Sequence, residues 1–383
     1  MGVEPEVVEQ VREHLARDGA TLNPAVVAAA LRARGRPVGD TTVLAVLDVL
    51  KRDVLGAGPL EHLLRTDGVT DVLVNGPDAV YLDRGLGLEL TRVRFPDDGA
   101  VRRLAQRLAA GAGRRLDDAS PCVDLRLADG TRFHAVLAPV SRPGTLISLR
   151  VPRRRVFTLA ELEAAGALPA EGARLLQLLV DRRLAFLVSG GTGAGKTTLL
   201  DALLSAADAA DRVVLVEDTS ELRPALPHVV GLEARPANAE GAGAVDLRTL
   251  VRQALRMRPD RLVVGEVRGG EVVDLLAALN TGHEGGCGTV HANSAVDVAA
   301  RLEGLALAAG MPLAAVHSQM AAALEAVVHC VRDRDGRRRV AEVAVLRPGA
   351  DGRVSVVPAV TFDGRGRVVE HDAAEWLARR LDR

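Results

Sequence analysis

Residues 184–198, Leu-Ala-Phe-Leu-Val-Ser-Gly-Gly-Thr-Gly-Ala-Gly-Lys-Thr-Thr, constrain the fold of this chain more than any other stretch. The apolar run 184–188 suits a strand buried in a parallel sheet. Gly190, Gly191, Gly193 and Gly195 then permit a tight turn that aims successive N–H groups at an anion. From Thr197 the spacing turns helical, with Leu199, Leu200, Leu203 and Leu204 on one face. Gly190, Gly195, Lys196 and Thr197 satisfy G-x-x-x-x-G-K-[ST] between strand and helix, the setting that motif demands. The backbone of Gly190, Gly191, Thr192, Gly193, Ala194, Gly195, Lys196, Thr197 and Thr198 is expected to cradle the phosphates of ATP. Lys196 would reach the β- and γ-oxygens, and the Thr197 hydroxyl would hold Mg²⁺.

The plainer alternative is a glycine-rich turn with a solvated lysine. Composition speaks against it: of 49 Lys and Arg residues, only Lys51 and Lys196 are lysines. A chain that almost always uses Arg for surface charge keeps a compact ammonium here, where it suits a phosphate pocket better than a planar fork. The length of 383 residues allows two or three domains. A net charge of −1 leaves no global basic field of the kind that drives nonspecific nucleic-acid binding. Cys122, Cys287 and Cys330 form neither a disulfide framework nor a zinc spacing, which fits a reducing cytosol. No signal peptide opens the chain, and no apolar run approaches the ~20 residues of a membrane helix. The expected location is cytoplasmic, with peripheral attachment to the cytoplasmic membrane.

Residues 1–55 read as a helical segment. One apolar face carries Val7, Val8, Val11 and Leu15, a second Val26, Val27 and Leu31, and a third helix starts near Thr42. Residues 56–151 read as an α+β domain. Strands over 69–74 and 79–82 flank the turn Asn75-Gly-Pro-Asp78, a helix covers 101–108, a hairpin joins 122–127 to 131–136, and a strand spans 145–151. Arg126, Arg132 and Arg150 lie on these strands; each taken singly reads as solvent-facing. Residues 152–160 are a linker, 161–331 the phosphate-loop domain, and 332–383 a β-rich extension. The extension has strands over 339–345, 354–360 and 367–369 and a helix over 374–381, and shows no catalytic constellation.

The phosphate-loop domain places acids where an open α/β sheet keeps its chemistry, just past strand ends. Strand 213–216 ends in Glu217-Asp-Thr-Ser-Glu-Leu222, and strand 262–266 ends in Glu266. Gly265 occupies the position where an Asp is commonest, so Glu266 must serve. An amphipathic helix covers 246–257. His283, Cys287 and His291 recur every four residues, a spacing that aligns metal ligands only on a helix. Gly282, Gly285, Gly286 and Gly288 argue against a helix there. Residues 288–291 read instead as a strand that brings His291 beside the nucleotide.

Four motifs in order make the chain recognisable: Gly190 to Thr198, Glu217 to Glu221, Arg258-Pro-Asp-Arg-Leu-Val-Val-Gly-Glu-Val-Arg-Gly269, and Thr281-Gly-His283 through His291-Ala-Asn293. Together they resemble the type II/type IV secretion ATPase superfamily, closest to the ATPases of tight-adherence (Flp) pilus and conjugal-transfer systems. Asp71-Val-Leu-Val-Asn-Gly-Pro-Asp-Ala-Val-Tyr81 is similar to that family's N-terminal domain. The resemblance covers roughly residues 50–330. It implies a RecA-like P-loop ATPase domain behind a smaller PAS-like α+β domain, an Asp box, a Walker B strand and a His box. It also implies a homo-hexamer working on inner-membrane platform proteins of a pilus or secretion system. Within it Glu221 and Glu266 would act on the attacking water, Asp218 would support the metal shell, and His283 and His291 would sense the γ-phosphate. Arg132 and Arg150 would complete the ATP site, with Arg126 the weaker third and Arg258 and Arg268 the candidates inside the phosphate-loop domain. Two other classes stay open at this point: a DNA-handling RecA-type ATPase and a P-loop phosphotransferase acting on a small substrate.

Overall fold

The computed structural model describes residues 24–32, 43, 56–85, 87–151, 156–235, 237 and 242–382. The helices expected around residues 7–15 and 44–55, and linker residues 152–155, lie outside these. The second expected N-terminal helix is α1 (Pro24–Arg32), with Val27 and Leu31 buried. The chain divides into two compact units, Met1–Arg153 and Arg154–Arg383.

In the first unit a short helix α2 (Glu61–Leu64) precedes β1 (Asp71–Asn75), β2 (Val80–Asp83), β3 (Leu88–Leu90), α3 (Asp98–Gly111), β4 (Cys122–Arg126), β5 (Arg132–Val136) and β6 (Leu146–Arg150). The strands form an antiparallel sheet in the order β3-β2-β1-β6-β5-β4. Apolar residues alternate along the strands, so Val72, Val80, Phe133, Ala135, Ile147 and Leu149 fall on one face and pack with Val101, Leu104 and Leu108 of α3. Asp97 caps α3 by accepting from the Ala100 amide at 2.6 Å. Asp98 accepts from the Thr145 amide at 2.6 Å and ties the helix to the start of β6. The Asn75–Asp78 turn closes with the Asn75 amide donating to the Ala79 carbonyl at 2.8 Å.

The second unit contains α4 (Leu159–Ala164), α5 (Ala170–Asp181), β7 (Phe186–Gly190), α6 (Lys196–Ser205), β8 (Val213–Glu217), β9 (Val229–Glu233), α7 (Leu247–Ala254), β10 (Arg261–Val267), α8 (Glu271–Leu279), β11 (Cys287–Val290), α9 (Asp297–Ala308), α10 (Leu313–Ala323), β12 (Ala326–Arg332), β13 (Arg338–Pro348), β14 (Val354–Phe362), β15 (Val368–Glu370) and α11 (Ala374–Leu381). Among the described residues its strands form one sheet, β15-β14-β13-β12-β7-β11-β10-β8-β9, parallel from β12 to β9 and antiparallel from β13 outward. Every residue of β7, β8 and β11 is buried because helices cover both faces, which is why β7 and β8 carry the apolar runs 186–188 and 213–216. Phe186 and Val188 point into the core shared with Leu176, Leu199 and Leu203. Leu187 points the other way, among Val251, Leu275, Leu302 and Met320.

One boundary differs from the sequence reading: Thr158 and Glu161 form a reciprocal capping box that starts α4 at Leu159, so the end of the expected linker is already a helix start. The expected β-rich extension belongs to the second unit. β12 pairs with β7 on one side and β13 on the other, so residues 332–382 extend the same sheet.

Candidate active site

The carboxyl ends of β7, β8, β10 and β11 converge, and each delivers a polar group there. The phosphate loop turns out of β7 at Gly190, where a Cβ would stand 2.4 Å from the Cys330 carbonyl oxygen. Only glycine lets β12 lie this close to the loop. Lys196 opens α6, and its Nζ donates to the Gly190 and Gly191 carbonyls at 2.9 and 3.0 Å. The same Nζ lies 3.4 Å from His291 Nδ1, just past the end of β11. Burial lowers the Lys196 pKa, while Glu266, Cys330 and Glu221 counter that shift.

His291 Nε2 is 2.9 Å from Glu266 Oε1. Burial and then the Lys196 cation push the ring below its ordinary range, against Glu266. A neutral ring can donate Nε2–H to Glu266, while Lys196 Nζ lies 3.4 and 3.5 Å from its two nitrogens. Cation, imidazole and carboxylate form one chain across three strand ends.

A second chain runs from α6 to β8. Thr197 Oγ1 faces Glu221 Oε2 at 3.5 Å. Glu221 is held from behind by Glu217, whose Oε1 accepts from the Glu221 and Leu222 amides at 2.9 and 3.0 Å. Glu217 is 3% exposed, and burial raises its pKa to about 7. Its side chain occupies the space beside Gly265, where a Cβ would stand 2.7 Å from Glu217 Cγ. The glycine in the expected Asp position is thus explained: the carboxylate comes from the neighbouring strand instead. Sequence reasoning included Glu217 in the acidic run without seeing this role, because only the β8–β10 pairing brings it to Gly265.

The hydroxyl of Thr197 and the Glu221 carboxylate are hard oxygen donors of the kind Mg²⁺ takes, alongside waters and substrate phosphates. These residues fit that ion, and the loop with its buried lysine fits a phosphate chain.

The other expected site residues part company with this cluster. His283 precedes β11, at the opposite end of the strand from His291; its Nδ1 lies 3.1 Å from the Ala278 carbonyl oxygen, and the neighbouring Gly286 carbonyl meets the Phe186 amide at the start of β7. Within the chain His283 therefore stands away from this phosphate loop, at the far end of β11. Asp218 forms an ion pair with Arg268 at 2.6 Å, so its carboxylate is matched to a guanidinium before any metal shell. Ser189 and the buried His329, directly opposite in β7 and β12, meet at 2.8 Å; neither was singled out in sequence. From the tail, where no constellation was expected, Arg338 donates to the Gly193 carbonyl at 2.9 Å.

In the first unit, register aligns Arg126, Arg132, Arg150, Asp71 and Asp83 in one rank across β4, β5, β6, β1 and β2. Residues directly opposite share a face, so Arg132 and Arg150 project from the same side of the sheet, away from α3. Arg132 pairs with Asp124 at 2.6 Å and Arg150 with Asp71 at 3.1 Å. The Arg132 hydrogen bond holds Asp124 below the ordinary carboxylate range.

A family model for "Type II/IV secretion system protein" matches residues 53–377. A Mycobacterium tuberculosis protein named for conjugal transfer is 58% identical over 343 residues, covering 88% of this chain and 96% of its own. Conjugal transfer protein TrbB of Rhizobium radiobacter is 31% identical over 274 residues, 70% of this chain and 81% of its own. Among solved structures, the pilus retraction motor PilT with bound ADP aligns with a TM-score of 0.53 at 20% identity, over 74% of this chain and 81% of that one. The ATPase DotB of Yersinia pseudotuberculosis aligns with a TM-score of 0.54 at 17% identity, over 80% and 81%. These two likenesses concern the fold, which is mixed α/β and RecA-like. On its motifs, its topology and the match across residues 53–377, the chain belongs to the type II/IV secretion system protein family.

Proposed function

We propose that this protein is an ATPase that turns over Mg²⁺–ATP to drive a membrane-embedded transfer or secretion machine, of the conjugal-transfer or tight-adherence (Flp) pilus kind. The observation that carries the reading is the convergence of Lys196, Thr197, Glu221, Glu266 and His291 around the phosphate loop. Lys196 and the loop amides bind the phosphates, and Thr197 and Glu221 take the metal side. Glu266, fixed by His291, orients and polarises the attacking water. Phosphoryl transfer asks for positioning and electrostatics, so no covalent nucleophile is needed. Mg²⁺, when bound, neutralises charge on the β- and γ-oxygens.

The working assembly in this reading is a homo-hexamer in the cytoplasm, attached peripherally to inner-membrane platform proteins. Among the described residues no helix is long and apolar enough to cross a membrane. In this reading Arg132 and Arg150 complete the ATP site. Their present partners are the exposed Asp124 and the partly buried Asp71, and surface pairs contribute only about 0–1 kcal/mol, so exchange for a phosphate costs little. Steady-state ATPase measured beside light scattering tests the reading. ATP turnover by a six-chain particle supports it. A monomer that transfers phosphate to a small acceptor contradicts it, as does a turnover that requires single-stranded DNA and falls steeply with salt.

A further inference from the structure

The turn between β12 and β13 reads Arg332-Asp-Arg-Asp-Gly-Arg-Arg-Arg339. β12 runs parallel to β7 with Cys330 opposite Gly190, so residues beyond Cys330 continue past the end of β7 alongside the phosphate loop. β13 returns antiparallel with Arg338 opposite Arg332, which places both side chains on one face of the hairpin. That face is turned to the loop. Besides the bond from Arg338 Nε to the Gly193 carbonyl, Arg338 Cδ lies 3.5 Å from where a Cβ on Gly195 would stand. Arg332 Nη1 lies 3.7 Å from the corresponding point on Gly193.

Two neighbouring arginines, Arg337 and Arg339, are committed elsewhere. Arg337 donates to the Gly364 and Gly166 carbonyls at 2.8 and 2.6 Å. Arg339 pairs with Asp333 at 2.9 Å and donates to the Phe362 carbonyl. Among the described residues no carboxylate pairs with Arg332, which is exposed. Arg332 and Arg338 flank a loop that already presents Lys196.

We propose that the β12–β13 hairpin completes the phosphate site from within the same chain, with Arg332 as a direct contact to the phosphates of the bound nucleotide. Arg338 shapes the loop through Gly193. The proposal rests on the reading of residues 190–198 as a nucleotide site. It is separate from any role of Arg132 and Arg150, because Arg332 belongs to the unit that carries the loop.

The test is equilibrium binding of Mg²⁺–ADP and Mg²⁺–ATP to the full chain and to Arg332→Ala, Arg332→Lys, Arg334→Ala and Lys196→Ala, with thermal melts to confirm folding. Loss of a charge-assisted contact weakens binding roughly ten- to a hundredfold, so Arg332→Ala should bind both nucleotides that much more weakly. Arg332→Lys keeps the charge and should recover most of the affinity. Arg334→Ala removes the same charge from the exposed turn and should bind like the parent. Parent-like affinity in Arg332→Ala, with affinity lost in Lys196→Ala, overturns the hairpin contact and leaves the loop reading standing. Equal weakening in Arg334→Ala also overturns it, since the effect is then general charge. Parent-like affinity in Lys196→Ala overturns the loop reading and this proposal with it.

Discussion

Single residues divide the labour at the phosphate loop, and their geometry assigns different failures to different substitutions. Glu266 meets His291 at 2.9 Å and faces the loop from the end of β10. Glu266→Gln keeps the shape and loses the charge. It should retain nucleotide affinity while turnover falls by roughly 10²-fold or more, the scale of a lost general base or water-positioning group. Normal turnover in steady-state assay would move the role to Glu221. Glu217 is a different kind of group. Burial lifts its pKa from 4.5 to about 7, so the folded protein holds a proton there that the unfolded chain has released. The stability linked to that proton is fully present below pH 4.5 and is lost as pH rises through about 7. Glu217→Gln cannot ionise. At pH 8 it should be more stable than the parent by on the order of 2 kcal/mol, or roughly 4–8 °C in Tm, and the two should converge near pH 5. Parallel melting curves across that range would show that the carboxyl is charged in the fold.

Elements explain what was legible in the sequence and what was not. β7, β8 and β10 announce themselves because both faces are covered and each carries a short apolar run, 186–188, 213–216 and 262–264. β9 escaped because it is an edge strand, partly exposed, with Gly231 at its centre. β3 escaped because three exposed residues carry no pattern. The tail strands were legible as strands, but their place beside β7 depends on the non-local pairing of β12, which no spacing reveals. The same limit governs the site. Lys196 and Thr197 follow from a local motif, whereas Glu217 reaches Gly265, and Arg338 reaches Gly193, only through sheet order. His283 was grouped with His291 through the family resemblance, and the direction of β11 sets them at opposite ends of that strand. The rank of Arg126, Arg132 and Arg150 is an element-scale feature too. Arg132→Ala and Arg150→Ala should each leave melting temperature and nucleotide affinity nearly unchanged. Turnover should fall sharply, because a guanidinium on a transferring phosphoryl group is worth on the order of 10³-fold or more. Parent-like turnover in both would leave them as surface pairs with Asp124 and Asp71.

The whole molecule joins an antiparallel α+β unit to a RecA-like unit whose sheet is lengthened by the C-terminal strands. That lengthening places a basic hairpin at the phosphate loop while the chain as a whole stays near neutral, at −1. Binding of ATP at this loop for hydrolysis is tested most directly by nucleotide affinity together with steady-state ATPase for the parent and Lys196→Ala. Lys196 is the loop's one ammonium, and it bridges Gly190, Gly191 and His291. The account predicts that the variant folds, binds Mg²⁺–ATP at least roughly tenfold more weakly, and shows no measurable turnover. Undiminished binding and hydrolysis in the purified variant would contradict it.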